Sequence, residues 1–187
     1  ASFGLKDQVA VLDELIDALG CERPLILVGH SYGAMVALDY GLQFPDRVAK
    51  LVLVEPPYPL SQGSEFAAFL RKTPEQMIEV LPPEVARNLR QGGRQGRKWL
   101  ERLRTLVQET SILHDLQDAE QWEMTGDLRS TIPVWWVAGE SSSCLQGIQA
   151  LHRRTPHGVY REVAGGHYLL SENPEAVIRV VQECLHA

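Results

Sequence analysis

Apolar positions along this chain follow two different periods. Leu5, Val9, Leu12, Ile16 and Leu19 recur at intervals of four and three. That stripe predicts an amphipathic helix, with Gly20 as its stop. Pro24 to Val28 is then a short, wholly apolar run of strand length, the kind buried on both faces of a parallel sheet. A small-residue helix follows to about Gln43 and ends before Pro45. Lys50–Val54 and Ile132–Ala138 repeat the apolar strand pattern, while Gly158–Val163 alternates as an edge strand does. Asn173-Pro174 opens a last helix, asparagine as its cap and proline in its first turn, with Val177, Val180, Val181 and Cys184 on one face. Strands alternating with helices predict the α/β class, a mostly parallel sheet with helices on both faces.

Residues 57–128 have another texture, polar, helical in pattern and broken by Pro82-Pro83 and Gly92-Gly93. They read as a helical cap or lid inserted into a core formed by residues 1–56 and 129–187, expected to overhang the carboxyl edge of the sheet. Arg87, Arg90, Arg94, Arg97, Lys98, Arg102 and Arg104 make the insertion locally basic. A solvated helix face explains them more simply than attraction of an anionic substrate group.

The totals narrow the class. A chain of 187 residues suits one domain with a substantial core. A net charge of −6 argues against a dedicated nucleic-acid binder, and no apolar stretch approaches the ~20 residues that span a bilayer. Cys21, Cys144 and Cys184 are widely spaced and form no C-x-x-C pair, so free thiols in a reducing, cytoplasmic compartment are expected rather than a disulfide framework.

The chemistry concentrates where strand gives way to helix. Gly29-His30-Ser31-Tyr32-Gly33 is a G-x-S-x-G pentapeptide between Leu25–Val28 and Ala34–Leu38. In that context it reads as a nucleophile elbow, a sharp turn that exposes the Ser31 hydroxyl at the carboxyl end of a sheet and at the positive end of a helix. The simpler reading is a glycine-flanked turn serine. Small residues at 29 and 33 let the chain turn and the helix pack back. A serine hydroxyl needs a base to be a nucleophile. Of six histidines, His167 stands on the glycine-rich loop Ala164-Gly165-Gly166-His167 after the last strand, at the same end of the sheet as Ser31. His30 lies inside the elbow with its side chain expected to point away from Ser31, in a packing role or one supporting the catalytic residues rather than in catalysis. His114 falls in the insertion, His152 and His157 precede the last strand, and His186 is at the carboxyl terminus.

With the elbow, the Phe44-Pro45-Asp46-Arg47-Val48 segment leading into Leu51–Val54, and Ala164–His167 before Glu172-Asn173-Pro174-Glu175, the chain resembles the α/β-hydrolase family over nearly its whole length apart from the insertion. The resemblance implies a Ser–His–acid hydrolase with a helical cap. No metal or organic cofactor is expected. Most family members carry an Asp a few residues beyond the strand that here reads Val134–Gly139, but this chain continues Glu140-Ser141-Ser142-Ser143. Glu140 is so near the strand that it is a poor reach for the His167 loop. Glu55, at the end of Leu51–Val54 and followed by Pro56-Pro57, is the favoured acid. Glu140 and the absence of a functioning acid remain as alternatives, and a salt-linked strand-end residue is the plain reading of Glu55.

The resemblance also begins mid-family, without about four leading strands and the loop that supplies one oxyanion-hole N–H. The Tyr32 backbone N–H is left as one donor, and losing the other typically costs on the order of 10²–10³ in rate. Leu25–Val28 would be an open apolar edge, which natural sheets avoid. The chain is therefore expected to be the C-terminal portion of the fold, the missing half being another chain or unrecorded residues. The function expected is hydrolysis of an ester, thioester or lactone, a small-molecule acyl substrate, through an acyl-enzyme on Ser31. The rival is a non-catalytic ligand-binding or scaffolding module of the same fold.

Overall fold

The computed structural model describes residues 4–22, 24–58 and 132–187, with scattered positions between 59 and 131. Two compact units emerge, one of Leu5–Pro59 with Trp122–Ala187, the other of Ala1–Gly4 with Leu60–Gln121. Most of the second unit, His114 and most of the basic residues of the expected lid lie outside the described residues. Within it, Thr73 and Gln76 exchange side-chain-to-backbone bonds of 2.9 and 3.3 Å, the reciprocal pattern of a capping box.

The first unit holds a four-stranded parallel sheet in the order β1-β2-β3-β4, formed by Leu25–His30, Val48–Val54, Val134–Gly139 and Val159–Val163. Helices α1 (Leu5–Ala18), α2 (Tyr32–Gln43), α3 (Leu145–Arg154), α4 (Leu169–Glu172) and α5 (Pro174–His186) belong to it. The α/β class and the parallel sheet expected from the apolar pattern are both present.

The period of two along the strands sorts side chains to two faces. On one, Leu51, Leu53, Val134 and Trp136 pack with Val9 and Ile16 of α1, Leu38 and Tyr40 of α2, and Ile148 and Leu151 of α3. On the other, Val52, Val54, Trp135 and Val137 meet Leu169 and, from α5, Val177, Val180 and Cys184. Strands β2 and β3 are therefore almost wholly buried. Strand β1 lies at the edge of the sheet among the described residues, the open apolar edge expected for Leu25–Val28, and is not buried on both faces. It has β2 as its one described neighbour, its leucines are half-buried and Val28 is 52% exposed. It also runs two residues past the apolar stretch, because Gly29 and His30 keep pairing with Leu53 and Val54.

Two local devices position the ends. Asn173 caps α5 by accepting from the Ala176 N–H, as its place before proline predicts. Trp136, fully buried, donates its indole N–H to Thr155 Oγ1 at 2.8 Å and so ties the centre of β3 to the end of α3. Among the described residues no helix is long and apolar enough to cross a membrane. Truncating the central indole in Trp136→Ala is expected to cost about 3–5 kcal/mol of stability in urea denaturation. Thr155→Val, which removes the hydroxyl that accepts from Trp136 and donates to a carbonyl at the end of α3, is expected to cost about 1–3 kcal/mol.

Candidate active site

All the site residues sit where parallel strands end. β1 ends in the elbow, and Ser31 there has φ 54° and ψ −126°, a conformation that L side chains rarely adopt. The Ser31 N–H donates to Val54 O at 2.9 Å, so β2 holds the turn in place. Ser31 is also the N-cap of α2, a position where serine ordinarily bonds the next backbone N–H groups. It makes no such capping bond. Its Oγ lies instead 2.9 Å from His167 Nε2. Tyr32 opens α2, which sets its N–H at the positive end of a twelve-residue helix.

The tight turn depends on one of the two glycines of the motif. A Cβ on Gly29 would stand 2.4 Å from the Gly33 carbonyl oxygen and 2.7 Å from Ala34 Cα, both backbone atoms that cannot yield. A Cβ on Gly33 would meet nothing within 4 Å among the described residues. The expectation that both positions must be small is thus corrected: the close approach constrains residue 29.

Glu55 follows β2 and is the other non-glycine residue with positive φ among the described residues, at 55°. Its carboxylate has no solvent exposure. Burying a carboxylate is tolerated only where donors replace water, and three do so here. The Gly139 N–H reaches Oε1 at 2.6 Å, the Ser142 hydroxyl donates to Oε2, and His167 Nδ1 lies 3.2 Å from the same oxygen. Glu140, the alternative acid, is exposed at the end of β3, and its backbone N–H bonds Val163 O at 2.9 Å. The structure therefore brings Ser31, His167 and Glu55 together and leaves Glu140 outside the group.

The loop bearing His167 is fastened on every side. Gly165 O accepts from the Ser141 N–H at 3.0 Å and from the Ser141 hydroxyl at 2.9 Å, continuing the β3–β4 ladder past its end. The Gly166 N–H donates to Glu172, and Asn173 Nδ2 reaches Ala164 O at 2.8 Å. Gly139 allows the loop to come close, since a Cβ there would fall 2.5 Å from Gly165 O. His30 supports the same loop from the elbow. Its Nε2–H donates to His167 O at 2.8 Å, and the two rings lie 5.3 Å apart. Burial holds its pKa below the ordinary value, in keeping with a neutral donor.

Cys144 supplies a contact that sequence reasoning missed. Its buried Sγ is 3.5 Å from His167 Nδ1, beside Glu55, and its own N–H donates to Ser142 Oγ at 3.0 Å. Burial on its own would depress the His167 pKa, but the hydrogen bonds to Cys144 and Glu55 outweigh it and push the value up to about 9. Ser142 was missed too, although a serine in the stretch where an acid was sought and not found is a readable signal. No sequence signal marks Cys144 or Glu172 for these contacts.

Comparisons with known proteins agree with this architecture. A family model described as the alpha/beta hydrolase family matches residues 1–180. The human protein named 1-acylglycerol-3-phosphate O-acyltransferase ABHD5 is 25% identical over 218 residues, which covers 94% of this chain and 61% of that protein. The chain thus spans about three fifths of the length of that curated relative. The homoserine O-acetyltransferase of Geotalea daltonii is 40% identical over 68 residues, 36% of this chain and 18% of that one. Among solved structures, an esterase from Exiguobacterium antarcticum superimposes with a TM-score of 0.75 at 14% identity, over all of this chain and 75% of its own. A thermophilic esterase from Thermogutta terrifontis does so with a TM-score of 0.70 at 19% identity, over all of this chain and 73% of its own. At such identities the likeness is one of fold.

The two elbow glycines separate cleanly by experiment. Gly29→Ala is expected to lower stability by about 1–3 kcal/mol through backbone overpacking. Gly33→Ala, in the first turn of a helix, is expected to be neutral or stabilising by up to about 1 kcal/mol. Thermal denaturation of the two variants reads both signs.

Proposed function

We infer the function of this chain from one premise: it belongs to the alpha/beta hydrolase family. We propose that it is a serine hydrolase that cleaves an ester, thioester or lactone through an acyl-enzyme on Ser31. The observation that carries this reading is the continuous contact from Ser31 Oγ to His167 Nε2 at 2.9 Å and from His167 Nδ1 to Glu55 Oε2 at 3.2 Å. A hydroxyl, an imidazole and a buried carboxylate in that order form a nucleophile, its base and the group that orients the base.

In this reading Ser31 Oγ attacks the carbonyl carbon while His167 Nε2 takes its proton. Negative charge gathers on the carbonyl oxygen, and the Tyr32 N–H at the amino end of α2 is the donor within this chain that stabilises it. Glu55 holds Nδ1–H, which keeps Nε2 free to accept, and it stabilises the imidazolium that forms. His167 then returns the proton to the leaving group. Water, deprotonated in the same way, attacks the acyl-enzyme and releases the acid. Were an alcohol to take the place of water, the same groups would perform the O-acyl transfer that appears in the names of two of the relatives. Residues 57–128 are proposed to act as the cap that selects the acyl group. The three free cysteines fit a reducing, cytoplasmic setting.

The reading is tested with a fluorophosphonate probe and peptide mass spectrometry. Label is expected on Ser31 and absent from Ser31→Ala. A folded chain that takes no label would sink the enzyme in favour of a binding or scaffolding module. Replacing the orienting acid, Glu55→Gln, is expected to lower kcat by on the order of 10⁴, with Glu140→Gln close to wild type in the same ester assay.

A base works only when unprotonated. Because the pKa of His167 is pushed up to about 9, kcat/KM is expected to climb as pH rises through about 9 and to level off above it. In Cys144→Ala one of the interactions that raise the value is gone, so the midpoint is expected to move to lower pH. A midpoint that stays in place on removal of the thiol would contradict this account of the shift.

A further inference from the structure

Three different metal-ligating atoms crowd the far side of the His167 ring from Ser31. They are His167 Nδ1, Cys144 Sγ and a Glu55 carboxylate oxygen, all within 4.8 Å of one another, with Glu55 and Cys144 buried. Neither the thiol nor this clustering is needed for the proposed chemistry, in which Glu55 alone suffices to orient the imidazole. We propose that Cys144, His167 and Glu55 form a binding site for a thiophilic divalent cation of zinc's size, and that filling it switches Ser31 off. The second half rests on the hydrolase reading above; the first does not.

Two of the three spacings match a tetrahedral site, and the third, Cys144 Sγ to Glu55, is within 4.8 Å and closes as the metal enters. With metal–sulfur and metal–nitrogen bonds of about 2.3 and 2.0–2.1 Å, ligand atoms at the tetrahedral angle stand about 3.5 Å apart for S···N and about 3.3 Å for N···O. The corresponding distances here are 3.5 Å for Cys144 Sγ to His167 Nδ1 and 3.2 Å for His167 Nδ1 to Glu55 Oε2. A thiolate, an imidazole and a carboxylate are a donor set suited to zinc or cadmium and ill suited to magnesium or calcium, which prefer oxygen alone. Three protein ligands also leave a fourth position for water.

The supporting bonds are already made. Gly139 N–H and the Ser142 hydroxyl hold the Glu55 carboxylate, and Ser142 Oγ accepts the Cys144 N–H. Such outer contacts fix the orientation of ligands and are worth about 10–100-fold in metal affinity. His167, with 24% of its side chain exposed, is the one ligand of the three that is not buried.

Binding would silence the serine by moving a proton. A metal on Nδ1 takes the lone pair that holds the Nδ1 proton, which passes to Nε2 in the neutral ring or to solvent from the imidazolium, while Cys144 gives up its thiol proton to solvent. The neutral ring then carries its single proton on Nε2. An Nε2–H facing Ser31 Oγ can donate to the hydroxyl but cannot accept from it, so the base is lost without any displacement of the serine. The bond to Glu55 that orients the ring is replaced by the metal in the same step.

Cadmium added to the purified full chain, followed by its ultraviolet thiolate-to-metal charge-transfer band, reads the site without any assumption about activity. One equivalent per chain is expected for wild type and for Cys21→Ala/Cys184→Ala, which retains Cys144 as the one thiol. Cys144→Ala, checked for folding by its melting transition, is expected to bind at least about 100-fold more weakly. Equal binding by wild type and Cys144→Ala, or loss of the band in the double variant, would overturn the site. In the second arm, zinc is expected to block fluorophosphonate labelling of Ser31 in wild type, chelator to restore it, and Cys144→Ala to need about 100-fold more zinc. Equal protection of both proteins would overturn the switch. If Ser31 takes no label at all, the hydrolase reading and the switch fall, and the cadmium titration still decides the site.

Discussion

A carboxylate with no access to water has to be surrounded by donors, and meeting that demand at Glu55 organises the whole carboxyl edge of the sheet. The three donors come from three different places in the chain: the end of β3, the turn after it and the loop after β4. Each is brought there by a parallel strand, so the strand order β1-β2-β3-β4 is what lets one side chain reach all of them. Ser31 enters the same frame from the other side, through its N–H bond to Val54, the residue before Glu55. The two non-glycine residues held at positive φ among those described are these two. Backbone strain of that kind persists only where surrounding contacts over-determine it, and here it falls on the residues at either end of the His167 imidazole.

The elements around this edge were largely legible in the sequence. The short apolar runs marked β2 and β3 because strands buried on both faces carry apolar residues at every position. Asn173-Pro174 announced α5 because an asparagine cap before proline is a local signal. Ser31 and His167 could be placed on the same side of the sheet since both follow strands that had to be parallel. Glu55 could be favoured over Glu140 by its place one residue past a strand neighbouring the elbow.

What escaped the sequence are contacts with no periodicity behind them. Ser142 meets Glu55 across 87 positions, and His30 meets the His167 carbonyl across 137. Such pairs are set by strand register and loop path, which hydrophobic patterning does not encode. The thiol of Cys144 is the clearest case: three residues from Ser141, which binds the histidine loop, it ends up against the ring itself. The motif glycines illustrate the same limit. Sequence alone treats Gly29 and Gly33 alike, but only the first lies against backbone.

In the proposed triad, Glu55, from the end of β2, orients the ring of His167 toward Ser31. Proton NMR of the imidazole tests it most directly, through the downfield signal of an Nδ1–H hydrogen-bonded to a carboxylate. This signal is expected in the wild type and in Glu140→Gln, and is expected to disappear in Glu55→Gln. A signal that survives Glu55→Gln, or that vanishes in Glu140→Gln, would contradict it.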